Sequence, residues 1–303
     1  MTVVARARDL RTDAESVTSV VGELELVARL GGLDRRLLSI ESSPTRAGLD
    51  QLVGMHVGPG FRSKVNQLFP GEREAGTLFH LLLDDLPGAA LVSGYAIQRA
   101  GLFDRPPKPK EDDGSPPPSA RITGAQDDLC AGWAHDGTMM VTIRSTGEIP
   151  VPAGPPAPVL ERDDDPVGWH AMDPLGPHAM RRRRRLDVVA VGDSRRTYLL
   201  DGHFRDSHMH PTEGESVVHE YAVVGEIDAE DGRFVNVSAV AHVLPWMECP
   251  GAVASAERLS GLPIEEVRAL VRREFKGTST CTHLNDTLRS LGDVSSLVEQ
   301  LPG

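Results

Sequence analysis

The chain predicts an α+β fold built of two similar modules, each with its strands first and its helices after. Three observations predict it. Segments with strand and helix character are segregated along the chain rather than alternating. Two distant stretches repeat one order of motifs. Proline-rich runs lie between them, and such runs do not pack as regular elements. With 303 residues, 40% of them hydrophobic and 25% charged, the chain is long enough for one large domain or two ordinary ones around a sizeable core.

The elements follow in order. A first block, residues 1–104, contains "SVVGELELVARLGGLDRRLLSIE" from Ser19, two strands joined by a glycine and aspartate turn. "LVGMHVGPGFRSKVNQLFPG" from Leu52 then sets a glycine stop before a helical pattern, and "GTLFHLLLDDL" from Gly76 opens another helix. "RPPKPKEDDGSPPPSA", residues 105–120, begins a linker and an irregular insertion that runs to residue 180. In that insertion Cys130, Trp133, His135, Trp169 and His170 either line a small-molecule pocket or pin a loop through the tryptophans.

The third block, residues 181–303, begins with Arg181 to Arg185 on a strand whose alternate members face opposite sides. Either these arginines pair with acids on an edge strand, or some of them hold a phosphate or carboxylate. Strands are expected over 186–206, 217–228 and 233–243. Helices are expected over 251–261 and 263–275, with Gly261 as a stop and Pro263 as a start, and a last helix from about Cys281 to Leu291.

Laid beside the first block, "SVVHEYAVVGEIDAEDGRFVNVSA" from Ser216 faces the Ser19 hairpin, "LSGLPIEEVRALVRREFKG" from Leu259 faces the Leu52 stretch, and "STCTHLNDTL" from Ser279 faces the Gly76 stretch. Thr77 matches Thr280, His80 matches His283 and Leu81 matches Leu284. The differences carry more information. His219 faces Gly22, Cys281 faces Leu78, and the first block holds no cysteine. The first module is therefore expected to be a degenerate copy, with His80 a structural remnant, and the second to carry the chemistry.

A formal charge of −12 disfavours nucleic acid as a partner, because a duplex binder needs a basic face. There is no apolar run long enough for a membrane span and no apolar signal core near the start, so the expectation is a cytoplasmic protein without a membrane partner. Three scattered cysteines are too few for a disulfide framework and read as core residues, metal ligands or nucleophiles. The sequence contains no GxGxxG, Walker, GxSxG or HExxH motif.

Cys249 stands just before one expected helix and Cys281 in the first turn of another, where free N–H groups lower a thiol's pKa. With His219 and His283 they make a donor set suited to tetrahedral zinc. Glu220 and Asp286 are then available as a further ligand, a supporting partner or a general base, and His283 as a ligand or an acid/base group. The alternative is that both cysteines are small buried packing residues.

The C-terminal block, through "DGHFRDS", "VVHEYAV", "LPWMECPGA", "LSGLPI" and "CTHLNDTL", resembles the uncharacterised domain family DUF2889. More distantly, "ECPGAVASAERLSGLPIEEV" and "CTHLNDTLRSL" resemble the NifU-like iron–sulfur scaffold proteins, a likeness that implies Cys249 and Cys281 as ligands. It also places His219 and Glu220 near the scaffold's ligand loop. The scaffold's first cysteine has no counterpart there, and its histidine–cysteine order becomes cysteine–threonine–histidine. Fewer thiolates suit a single zinc or iron ion better than a cluster. The function expected is a metal-dependent enzyme of small-molecule metabolism, of lyase, hydratase, isomerase or hydrolase type. The alternatives are a metal or iron–sulfur carrier and a structural, partner-binding protein. The oligomeric state stays open.

Overall fold

The computed structural model describes residues 1–32, 34–102, 127–192 and 197–301. The proline-rich linker over 105–120 lies outside these. Two compact units emerge: Met1–Leu91 with Glu161–Met172 and Ser290–Gly303, and Val92–Leu160 with Asp173–Arg289. Each unit has one antiparallel sheet with helices segregated from it along the chain, which makes the protein α+β. No helix among the described residues is long and apolar enough to cross a membrane.

In the first unit β1 (Thr2–Thr12), β2 (Thr18–Leu30) and β3 (Leu37–Ser43) form an antiparallel sheet in that order. The alternation of strand side chains puts Leu24, Leu26, Ala28 and Leu30 of β2 into the core. A 3-10 turn, Leu49–Leu52, leads to α1 (Phe61–Leu68), α2 (Pro70–Glu74) and α3 (Leu78–Arg99). Proline opens α2, where its missing N–H costs nothing. Leu52, Phe61, Val65, Phe79, Leu83 and Leu86 close the core against the sheet.

The second unit holds α4 (Thr138–Thr146), terminated by Gly147 at φ 78°, and then a four-stranded antiparallel sheet. Its strands are β4 (Met180–Val191), β5 (Thr197–His210), β6 (Gly214–Asp228) and β7 (Arg233–Val243). A 3-10 helix, Cys249–Leu259, precedes α5 (Ile264–Glu274) and α6 (Thr282–Ser290); α7 (Val294–Val298) belongs to the first unit. In α5 the buried Ile264, Val267 and Val271 fall on one helical face, with Glu265 and Glu266 in the first turn and Arg272 and Arg273 in the last, as the helix dipole favours.

Several sequence expectations need correction. The strand over 186–206 is two strands, β4 and β5, paired antiparallel, with Gly192 at a φ of 86°, which suits glycine, directly after β4. The helix over 251–261 is a 3-10 helix that starts at Cys249 itself. Strand β1 and helix α4 were not anticipated. In β1 two of the three core-packed apolar positions, Ala5 and Ala7 beside Val3, are alanine, a weak strand former.

The two units repeat their backbone hydrogen bonds. Gly54 N–H donates to Leu37 O and Leu37 N–H to Met55 O, both at 2.8 Å; Gly261 N–H donates to Phe234 O at 2.7 Å and Phe234 N–H to Leu262 O at 3.0 Å. Arg36 caps Gly54 O and Arg233 caps Gly261 O, while Asp34 and Asp231 each accept the backbone N–H two residues on. Asp9 pairs across the sheet with Gly22 and Asp206 with His219, and both aspartates are followed by a register shift. Arg8 and Asp9 thus occupy the sheet positions of Arg205 and Asp206.

Candidate metal centre

Strand alternation on β5 and β6 builds the site. Phe204 and Asp206 on β5 and His219 and Tyr221 on β6 share one face, and Asp206 lies directly opposite His219. Phe204, Asp206 and Tyr221 have no solvent exposure. Helix α6 covers this face and brings His283, whose ring stacks on His219 with centroids 3.6 Å apart and 20° between planes. His219 Nδ1 and His283 Nε2 lie 3.9 and 3.8 Å from Asp206 Oδ2. Ligand atoms of these three residues all fall within 4.8 Å of one another.

The arginine run fixes the acids of the site. Arg182 and Arg184 sit on the same sheet face as Asp206 and reach it and α6. Arg182 donates to both Asp206 oxygens at 2.9 and 3.0 Å and to Asp286 Oδ2 at 2.8 Å. Arg184 donates to the Asp286 carbonyl, and Arg289 to Asp286 Oδ1 at 2.6 Å. On the other face Arg181 pairs with Glu215 and Arg185 with Asp187. Of the two readings of this run, acids paired along an edge strand is the arrangement present, but Arg182 is buried rather than solvated.

The thiols form the adjoining wall. Cys281 is the residue before α6, its carbonyl accepting the first helical hydrogen bond, from Asn285 at 2.8 Å. Its Sγ lies 3.9 Å from His283 Nδ1, so that imidazole stands between a thiol and the Asp206 carboxylate. Cys249 and Cys130 join it, and the charge of each thiolate raises the pKa of its neighbours. The segment Cys130 to Trp133 packs directly on Cys249: a Cβ on Gly132 would lie 2.8 Å from its sulfur and 3.0 Å from the Trp246 ring. The Tyr221 hydroxyl is pressed against this cluster, its pKa raised by burial and then by Cys281.

Electrostatics reverse one sequence expectation. Helix N-termini were expected to lower the cysteine pKa values, and N–H groups of His283 and Leu284 do act on Cys281 in that sense. Burial outweighs them. It raises Cys281, and pushes Cys130 and Cys249 up to about 12, so all three stay thiols unless a cation joins them. Burial likewise lowers His219 well below its ordinary value and takes His283 down to about 3. Both imidazoles are neutral, the form that binds metal. His219 Nδ1 and His283 Nε2 are buried without a hydrogen-bond partner. Such orphaned donors and acceptors are costly, and a pair of them marks a place for a ligand.

Of the residues expected at the site, His219 and His283 meet Asp206 within ligand distance, while Cys281 reaches the ring of His283 and Cys249 lies beside Cys281, both outside that group of three. Asp286 lies beside them, held by three arginines. Glu220 is not there. It follows His219 on the strand and so faces the other side, where it accepts from Arg205 at 2.8 Å and meets His203 at 3.0 Å. Burial would raise its pKa, but the hydrogen bonds from His203 and Arg205 win and leave it at about 2. Sequence reading missed Asp206 and set Cys130 with the tryptophans of the insertion rather than beside the other thiols. The repeated Arg–Asp dipeptide, at 8–9 and 205–206, was the available signal for the first; Cys130 carries no local signal. Trp133 packs with Met139, Met140, Ile143 and Trp246, the role of a loop anchor, while Trp169 belongs to the first unit. His80 is buried, 3.0 Å from Asn66 Oδ1.

The fold and this donor set define an α+β protein with a buried mixed carboxylate, imidazole and thiol cluster. Residues 180–296 match the model of a protein family of unknown function, DUF2889. No curated protein and no solved structure matches the chain.

Proposed function

We propose that the C-terminal block binds a single zinc or iron ion and acts as a metal-dependent enzyme on a small molecule, by lyase, hydratase, isomerase or hydrolase chemistry. The observation that carries this reading is the set of unpartnered imidazole nitrogens facing Asp206. Tetrahedral donors bound at about 2.0–2.1 Å sit about 3.3 Å from one another. The carboxylate to imidazole distances of 3.8 and 3.9 Å need to close by about half an ångström, and the stacked rings must turn so that both nitrogens face one ion. Two histidines and one carboxylate leave coordination positions open, which catalysis requires. Bound there, the ion would polarise a carbonyl or lower the pKa of a water.

The chain's own residues have defined parts in this scheme. Arg182 orients the Asp206 carboxylate and leaves a lone pair of Oδ2 toward the histidines. Asp286 holds Arg182 in place. The shell of Phe204 and Tyr221 excludes water from one side. On the same reading residues 1–104 are a duplicated copy that kept the acid, as Asp9, and one histidine, as His80, and lost two donors, with Gly22 and Leu78 in place of His219 and Cys281.

A second reading, a metal or iron–sulfur carrier, is favoured by the gathering of all three thiols. Elemental analysis and a visible spectrum of untagged protein, beside the His219→Ala, Cys249→Ser and Cys281→Ser variants, separate the two. The enzyme reading expects about one zinc or iron per chain, lost in His219→Ala. Metal or colour that survives His219→Ala but is lost in the cysteine variants would make the protein a carrier. Absence of metal in protein refolded with either ion would sink both readings and leave a partner-binding role.

A further inference from the structure

A second group of buried polar side chains lies one row further along the same strand. On β5, His208 follows Phe204 and Asp206 on one face and is fully buried, with neither ring nitrogen hydrogen-bonded. Tyr95, near the end of α3, stands edge-on to it at 5.3 Å between ring centroids, and its hydroxyl donates to Pro152 O at 2.7 Å, so the ring is a fixed wall. His178 lies on the other side, its ring 6.1 Å from that of His208. Its backbone is held in the left-handed region at φ 61° and pinned by a hydrogen bond to Met209 O, the kind of conformation found where a site over-determines a residue. Its Nδ1 is buried and unpartnered. So is Nε of Arg99, one turn beyond Tyr95 on α3.

The charges in this group are of one sign. The groups that act on His208 are Arg99, His178 and His210, and the Arg99 charge also bears on Tyr95. A carboxylate does lie near the rim, Glu213, at 3.7 Å from His210, and it is exposed. The Arg99 charge thus stands among three unpartnered imidazole nitrogens, with no carboxylate among the charges acting on His208, and the group lacks both a counter-charge and hydrogen-bond partners.

We propose that Arg99, His178 and His208, walled by Tyr95, bind the anionic head of a small organic molecule, a carboxylate or a phosphate. A guanidinium offers either anion a pair of parallel donors, and the imidazoles supply more. Two residues along a strand span about 7 Å, so an anion here places the rest of a short-chain or single-ring acid at Asp206. The pocket itself needs no metal; only its part as the substrate anchor rests on the metal-centre reading.

The test is a titration of the full chain with acetate and, separately, inorganic phosphate, read by the ring carbon NMR signals of His208 and His178. Wild type, Arg99→Gln, His178→Gln and His219→Ala are compared, each checked for an unchanged thermal midpoint. The expected result is saturable movement of both rings, weakened about tenfold or more in the Arg99 or the His178 variant, and unchanged in His219→Ala. Saturation by acetate alone assigns a carboxylate, and by phosphate alone a phosphate. If neither anion saturates, or if both folded variants bind as wild type does, the pocket is refuted. If His219→Ala abolishes the response, the anion sits at the metal centre instead and the proposal falls, whereas loss of metal in that variant with anion binding intact leaves the pocket standing.

Discussion

Removing Arg182 takes a counter-charge from two buried acids at once. Asp206 has no exposure and receives both its charged donors from Arg182, at 2.9 and 3.0 Å; Asp286 is 6% exposed and receives a third at 2.8 Å. Asp286 keeps Arg289 in Arg182→Met, so the uncompensated burden falls on Asp206. Leaving one buried carboxylate unpaired costs about 3–5 kcal/mol, or roughly 6–20 °C in midpoint for a unit of this size. Trp133 and Trp246 belong to the second unit and Trp169 to the first, so fluorescence in a Trp169→Phe background reports the relevant unit. Urea unfolding of wild type, Arg182→Met, Asp206→Asn and the double variant then closes a cycle. The expected coupling is about 1.5 kcal/mol or more, with the double variant more stable than Arg182→Met. A loss under about 1 kcal/mol, the range of exposed ion pairs, or an additive double variant would refute the clamp.

Three further outcomes follow from the same geometry. Glu220→Gln should destabilise the second unit by about 3 kcal/mol, since it orphans the buried Arg205, yet leave metal content unchanged; metal loss would return Glu220 to the site. Gly132→Ala puts a methyl group 2.8 Å from Cys249 Sγ, and the displaced thiol should react faster with a disulfide reagent at an overpacking cost of about 1–3 kcal/mol. An unchanged rate would mean that Cys130 and Cys249 are not held by this turn.

Burial first, and then the charges of Arg99, His178 and His210, lower His208 from 6.5 to about 4. The folded state therefore resists a proton that the unfolded chain accepts. Stability from the neutral ring is full above about pH 6.5 and is lost as pH falls toward 4, by at most about 3 kcal/mol. The difference between wild type and His208→Gln should show that slope, and parallel pH profiles would refute it.

Local pattern alone carried the α+β class, the repeated order of the motifs, and two of the three residues that meet at the cluster, His219 and His283. That pattern is strand alternation, the glycine stops at Gly54 and Gly261, and the histidine–leucine step shared by His80 and His283. It could not determine which side chains meet. Whether His219 or Glu220 faces helix α6 is set by sheet register, and a slip of one residue exchanges them. Asp206 became visible only when β5 paired with β6, and Cys130 only when its turn packed on Cys249. The protonation states were equally out of reach, because a helix start favours thiolate while burial opposes it, and only the packed structure sets how much water remains. Pairing and desolvation depend on residues far apart in the chain, and that is why the tertiary structure alone decided them.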